Sequence, residues 1–540
     1  MKTLFASRRG PACGSALAAA LLVLVLHGAQ GVSQVSVTTY HNDSLRSGQN
    51  LHETVLTHSL VNFNTFGKLF AQPVDGQIYA QPLVVSNLQI AGKGKHTVVY
   101  VATENDSVYA FDGNSNTGTD ATPLWQVSFI NPAQGITTVP ASDFGTTMIS
   151  PQIGITGTPV IDISNHTLYV VAATKENGAY YQRLHALDIA TGAEKFGGPV
   201  VISAVVKGTG ANSVKGYVYF DPFRSNQRAA LLLVNGFVYI AWASHGFETV
   251  YPYHGWIMAY NESTLKLAGA FCITPNGDQG GVWQSGSGPA ADTLGNIFFM
   301  VGNGTFDADT GGTDYGMSYV KMSSNGGLKV TDYFTPYNQA QESFADLDLG
   351  SGGALLFPYQ SGSSHPYLGV GAGKDGSLYL VNRQNMGGFN SKQNLIVQQI
   401  TNAFAGHSVY SSPAYWQGYL YYWATYDTLR IFQLSNGLVG TTPIAMSNYS
   451  LASPGATPVI SANGTTDGIV WALDTSKSMT SGPAVLHALD AQTALELYNT
   501  TQVSTRDQAG NAVKFAIPTV ANGKVYVGTT TELDIYGLLP

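Results

Sequence analysis

"LHALDIATGAEKF" at residues 184–196 returns as "LHALDAQTALELY" at 486–498, and a looser copy, "VYAFDGNSNTG", stands at 108–118. Apolar residues at alternate positions mark a strand, and Asp followed by Thr-Gly is turn chemistry leading into a next strand. Asp188 and Asp490 are therefore expected to build turns. The phrase counts units.

A second recurring element confirms the count. A small-residue stretch with an apolar tail appears as "YAQPLVV" (79–85), "GTPVID" (157–162), "RAALLLVNG" (228–236) and "SGPAADTLGN" (287–296). It continues as "SGGALLF" (351–357), "SSPAYWQG" (411–418), "GATPVIS" (455–461) and "AIPTVANG" (516–523). Most copies run into a β-rich segment such as "TLYVVA", "FVYIAW" or "KVYVGT". Units spaced by roughly 60 residues, each with room for four short strands, are the signature of a β-propeller. The fold expected is all-β: an eight-bladed β-propeller of four-stranded blades. The last unit ends at "ELDIYGLLP" one strand short, and "FGKLFAQPV" (66–74) is placed to supply it, so that an N-terminal strand closes the ring onto the C-terminal blade. A β-helix would need shorter, more regular repeats.

Composition agrees. Only 11% of the 540 residues are charged, 44% are apolar, and Gly (61) and Tyr (30) are abundant. This suits a turn-rich β protein and argues against disorder. Residues 1–31 resemble a secretory signal: Lys2, Arg8 and Arg9 precede an apolar run from Ala16 to Leu26, and Ala29-Gln30-Gly31 offers small residues for cleavage. An uncleaved anchor is the alternative. The segments expected are 1–31 as signal peptide, 32–65 as an N-terminal arm and 66–540 as the propeller. Secretion, or a periplasmic location in a Gram-negative host, follows. Loss of the signal takes the formal charge from −8 to −11. A net acidic chain without basic runs argues against nucleic acid as a partner, and no later segment resembles a membrane span. Cys272 becomes the only cysteine, which rules out an intrachain disulfide and a thiolate zinc site. Eight N-x-S/T sequons, at Asn42, Asn105, Asn165, Asn261, Asn303, Asn448, Asn463 and Asn499, make a glycoprotein possible in a glycosylating host.

Chemistry is expected in the loops that do not repeat. Loops of one face of a propeller meet around its axis although they are far apart in sequence. Gln77, Gln81, Glu104, Arg183, His245, Trp283, Asn303, Asp346, Asp348, Lys374 and His407 fall in such segments. Three long loops, "TKENGAYYQR", "SHGFETVYPYHG" and "GNGTFDADTGGTDYG", should form a canopy over one side.

These repeats, with their Ala-x-Asp and Thr-Gly turns, resemble the PQQ-repeat (pyrroloquinoline-quinone-like) propeller family. It includes quinoprotein alcohol dehydrogenases and non-catalytic outer-membrane assembly propellers. "TTYHNDSLRSGQNLHETVLTHSLVN" (38–62) is similar to the family's segment before the first blade. "GGVWQSGSGPAADTLGNIFFMVGNGT" (280–305) resembles the stretch holding a tryptophan under the quinone ring and an asparagine on calcium. That likeness implies stacking by Trp283 and metal ligation by Asn303. "YFTPYNQAQESFADLDLGSGGALL" (333–356) resembles the segment with the catalytic aspartate, implying Asp348 or Asp346 as the base, with Asp348 also a metal ligand. "YLGVGAGKDGSLYLVNRQNMGG" (367–388) resembles the segment whose basic residue holds the quinone oxygens, implying Lys374. Gln81 and Arg183 are further candidates to hold the cofactor. The family's glutamate ligand falls near "ASHGFE" (243–248), implying Glu248, with His245 a poor calcium ligand beside it. The implied function is a PQQ- and Ca²⁺-dependent dehydrogenase acting on a small-molecule alcohol or sugar, with a separate electron acceptor because no C-x-x-C-H haem motif occurs. The alternative is a non-catalytic propeller that binds protein or glycan.

The departures are specific. "ATENDS" (102–107) lacks the vicinal cysteine pair that many of these dehydrogenases carry, and Phe196 and Tyr498 stand where relatives favour Trp. Other motifs fail on chemistry. "GVGAGKDG" has Asp375 where a P-loop needs Ser or Thr, "DADTGGTD" (307–314) lacks the closing Glu of a calcium loop, and neither G-x-S-x-G nor H-E-x-x-H occurs.

Overall fold

The computed structural model describes residues 34–145, 148–246, 251–324 and 327–540. The signal segment expected at 1–31 lies outside the described residues. The rest is a ring of eight four-stranded antiparallel blades, as the repeats predict. Blade 1 comprises Leu83–Ile90, Gly94–Ala102, Ser107–Asp112 and Trp125–Ser128. Blade 2 has Val160–Asp162, Thr167–Glu176, Ala179–Asp188 and Val200–Val201, and blade 3 runs from Leu232–Val234 to Leu267–Cys272. Blades 4 and 5 begin at Ala290–Ala291 and Leu355–Leu356, and blades 6 and 7 at Ala414–Trp416 and Val459–Asn463. Blade 8 holds Thr519–Ala521, Lys524–Gly528 and Glu532–Leu538. Its fourth strand is Phe66–Pro73, antiparallel to Glu532–Leu538 with Phe66 opposite Leu538 and Pro73 opposite Glu532. The ring is closed by the N-terminal strand, as expected. Among the described residues no helix is long and apolar enough to cross a membrane.

The repeated phrase forms the third strand of blades 2 and 7. Each blade buries both faces, so both sets of alternating side chains are apolar. Leu184 and Ala186 pack toward blade 3, whereas Leu187 packs toward blade 1. Full burial of such a leucine contributes about 2–3 kcal/mol. Similar apolar clusters fill the clefts between successive blades all the way round, including the closing cleft between blades 8 and 1. The aspartates build turns: Asp188 Oδ1 accepts from the Ala190 amide and the Thr191 hydroxyl, and Asp490 Oδ1 from the Gln492 and Thr493 amides. His185 pairs with Glu194 and His487 with Glu496 across the same turn, which gives the motif's His a structural partner too.

The N-terminal arm is a strap around the central channel. Val37 pairs with Val84 of blade 1, and the carbonyl of Thr38 accepts from Ile161 of blade 2. Carbonyls of Ser44, Leu45, Ser47 and Gly48 accept from Ala291, Leu356, Tyr415 and Ile460 of blades 4 to 7. Arg46 donates to the Leu231 carbonyl beside blade 3, and Asn50 to Val520 of blade 8. Each innermost strand would otherwise present an unpaired edge to the channel, and the strap supplies partners to all eight.

Candidate active site

A cavity of about 670 Å³ opens where the chain runs into the inner strands, a few residues before the strap crosses each of them. Trp283, Asn303, Asp346, Asp348 and Lys374 all line it. They come from the loops of blades 4 and 5 that the sequence singles out.

Trp283 leads into a tight turn in which Gln284 and Ser285 adopt left-handed backbone, with φ of 42° and 51°. The turn is locked by the Gln284 side chain, which accepts from the Met300 amide, and by Ser285, which donates to the Ser351 carbonyl. The indole is half-buried. Its aromatic neighbours are Tyr410 at 6.2 Å and Phe515 at 6.5 Å, from blades 6 and 8 across the cavity. It is thus open to a ligand and not sealed between blades.

Asn303 and the aspartates form one network. The Asn303 backbone N–H donates to Asp348 Oδ1 at 2.6 Å, and its Nδ2 donates to Asp346 Oδ1 at 2.9 Å. Asn303 Oδ1 is buried and has no hydrogen-bond partner. Gly302 permits this closeness, because a Cβ there would stand 2.6 Å from Asp348 Oδ1. Lys374 Nζ lies 2.6 Å from Asp348 Oδ2 and 2.9 Å from Asp346 Oδ1. Burial pulls the Lys374 ammonium down, but the two aspartates outweigh it and hold it above the usual lysine range. Burial pushes the Asp348 carboxyl above the usual carboxylate range, against the pull of Lys374. Asp348 is buried and Asp346 faces the open mouth, with three-quarters of its side chain exposed.

Other expectations resolve differently. Gln81 and Arg183 do not line the cavity. Gln81 sits on the strap side, accepting from the His41 amide and donating to Thr519 Oγ1, so its amide is used in tying arm to blade. Arg183, within the third strand of blade 2, is paired with Glu176 across the hairpin. Glu248 lies outside the described residues. His245 lines the cavity, buried and stacked on Phe144 at 3.9 Å, with neither ring nitrogen in a hydrogen bond. Burial pulls its imidazole down to about 3, so it is neutral at any working pH. His254 is held between the Thr274 and Ala211 carbonyls, a structural role. The canopy is also built differently. "TKENGAYYQR" continues the strands of blade 2 as a hairpin and stays clear of the cavity, while the segment after Asn303 folds on itself through Asp307 and Asp314. Of the three expected loops, the described part of "SHGFETVYPYHG" does wall the mouth, through Ser244, His245 and Tyr253, joined by Met148, Pro454 and the end of the short helix Gln339–Phe344.

The sequence reading missed Arg228, Tyr410, Lys514 and Phe515, which complete the wall. Arg228 is buried. Its Nη1 donates to the Thr156 carbonyl at 3.0 Å and its Nη2 has no partner. Gly286 makes room for it, since a Cβ there would stand 2.4 Å from Nη1.

Comparison with known proteins agrees on the fold. No described protein family matches the chain, and no curated protein matches it in sequence. Solved structures similar to it include a europium-containing methanol dehydrogenase, at 13% identity and a TM-score of 0.59, covering 93% of this chain and 98% of that one. Quinohemoprotein alcohol dehydrogenases are also similar. The one from Comamonas testosteroni matches at 13% identity and a TM-score of 0.57, and ADHIIG from Pseudomonas putida HK5 at 14% and 0.56. Both cover 93% of this chain and 80% of their own. The chain thus shares the eight-bladed fold of these proteins.

Proposed function

We propose that this protein is a PQQ-dependent dehydrogenase of small alcohols or sugars that uses a calcium-like cation. The observation that supports it most is the convergence of Trp283, Asn303, Asp346, Asp348 and Lys374 on one cavity. The residues present fit the two groups. Trp283 offers a half-open indole face to a flat ring, with Tyr410 and Phe515 beside it. The unpartnered Asn303 Oδ1, with the carboxylates of Asp346 and Asp348, is the oxygen donor set a hard cation prefers. When bound, PQQ supplies the two-electron acceptor for the substrate C–H bond.

This chain's residues do the rest. Asp348 takes the proton of the substrate hydroxyl, a role helped by a carboxyl whose affinity for protons burial has raised. Lys374 holds Asp348 in place at 2.6 Å and presents positive charge to the oxygens of whatever lies on Trp283. Asp346, at the mouth, anchors the other side of the ammonium. The aromatic wall limits water around the reacting centre. Export directed by residues 1–31, and electron transfer to a separate carrier, belong to the same proposal. A second reading, a binding propeller without catalysis, draws on His245. A neutral imidazole stands near the position where the resemblance puts an acidic metal ligand.

The test is reconstitution of the chain with PQQ and Ca²⁺, followed by dye-linked oxidation of an alcohol and sugar panel. Turnover that falls roughly 1,000-fold in Asp348→Asn is expected. Folded protein that reduces no dye with any substrate would favour the binding propeller.

A further inference from the structure

Of the three lysine and arginine side chains that line the cavity, one has carboxylate partners and two do not. Lys374 is held by Asp346 and Asp348. Arg228 has only the phenols of Tyr79 and Tyr40 near it, and its guanidinium lies 5.6 Å from the Tyr79 ring centre. Lys514 is half-buried over the Phe515 ring at 5.1 Å. Among the described residues neither Arg228 nor Lys514 forms an ion pair. Burial pulls both below their usual ranges, and no carboxylate pulls either back.

A buried guanidinium without a counter-ion is costly to keep. Buried charges in stable proteins are paired. Arg228 is nevertheless accommodated deliberately: Gly286 clears its path and the Thr156 carbonyl orients it, while Nη2 is left without an acceptor. Lys514 reaches the same cavity from the segment leading into blade 8, and Trp283 shares that cavity with both.

We propose that Arg228 and Lys514 form an anion subsite that binds carboxylate groups carried on the flat ring ligand of Trp283. The ligand class is an aromatic polycarboxylate, and PQQ, a tricarboxylate, belongs to it. The inference rests on the proposed function for the identity of the ring, and on the unpaired cations for the carboxylates. The planar fork of Arg228 suits a carboxylate, with Nη2 as the free donor. Lys514 adds a second positive charge. The subsite is separate from Lys374, which Asp346 and Asp348 hold in place.

The experiment is equilibrium binding to the full chain, read by quenching of tryptophan fluorescence and by calorimetry. The probes are PQQ, its trimethyl ester, and benzene-1,3,5-tricarboxylate. Arg228→Met and Lys514→Gln are compared with wild type, with Arg183→Gln as a control outside the cavity. Loss of one charge-assisted contact weakens binding roughly 10- to 100-fold. That loss is expected for PQQ with Arg228→Met, a smaller loss with Lys514→Gln, and none with Arg183→Gln. The trimethyl ester should bind wild type and Arg228→Met alike. Lys514 is half-exposed, so Lys514→Gln tests the subsite even where Arg228→Met fails to fold. PQQ binding unchanged in both variants overturns the subsite and leaves the cofactor proposal standing. Arg228-dependent binding of the benzene tricarboxylate without any binding of PQQ keeps the subsite and overturns the cofactor. Binding of neither compound to wild type overturns both.

Discussion

Arg46 and Arg228 are both buried beside the central channel, and burial pulls both guanidiniums down to about 10. They differ in what they touch. Arg46, in the strap, donates to the carbonyls of Pro289, Tyr40 and Leu231 and to the Thr39 hydroxyl, with Asp43 nearby. Arg228, at the cavity, donates once and leaves Nη2 bare. The carboxylates repeat the contrast. Glu53 of the strap accepts from the Val55, Leu56 and Gly523 amides, whereas buried Glu104, in the loop between the second and third strands of blade 1 and outside the cavity lining, has an unpartnered Oε2. One end of the channel is completed by the chain itself, and the other is left open to a ligand. In both pairs the strap-side group is held by several hydrogen bonds, and its counterpart keeps a polar atom without a partner.

The comparison breaks most visibly at Arg46. Arg46→Met strips donors from four acceptors in the strap and should cost about 3–5 kcal/mol, read as a fall in the denaturation midpoint. A loss under about 1 kcal/mol would mean that the strap does not hold the ring. Asp348→Asn comes next. It should leave folding intact and remove roughly 1,000-fold of reconstituted turnover, equivalent to about 4 kcal/mol of barrier.

Glu104 sharpens the contrast through pH. Burial pushes its carboxyl up to about 8. The folded chain therefore keeps a proton that the unfolded chain releases, and stability falls as pH rises from the usual carboxylate value toward 8. Relative to its difference from wild type at pH 5, Glu104→Gln should gain about 4 kcal/mol at pH 8.5, measured by denaturant titration at both pH values. An equal difference at the two pH values would show that Glu104 is ionised throughout. Arg228→Met should have the smallest effect on the ligand-free protein, within about 1 kcal/mol of wild type or above it, because it removes a buried charge that has no partner. A loss as large as that at Arg46 would erase the distinction between the two ends.

Much of the fold was legible because it repeats. The alternation in "LHALD", the Asp-Thr turns and the missing last strand follow from strand period and edge closure, and each stands where the repeats put it. Six of the eight contacts of the strap were not legible, because they are made by backbone groups that no side chain advertises; the other two come from the Arg46 and Asn50 side chains. Trp283, Asn303, the aspartates and Lys374 could be picked out by resemblance, yet their convergence depends on ring geometry. Arg183 misled because a polar residue in a long loop can simply extend a strand. Arg228 carried a signal that was overlooked. It stands at the head of "RAALLLVNG", where most copies of the repeat begin with Gly, Ser or Ala. An exception to a repeat marks a position that the fold does not dictate.

The proposed ligand completes the cavity end of the channel. Unfolding of the full chain, followed with and without PQQ and Ca²⁺, tests this most directly. At a ligand concentration 100 times its dissociation constant, wild type should gain about 2.7 kcal/mol of stability, and Trp283→Ala should gain far less at the same concentration. A wild-type curve that does not move on adding both, in protein shown to be folded, would contradict it.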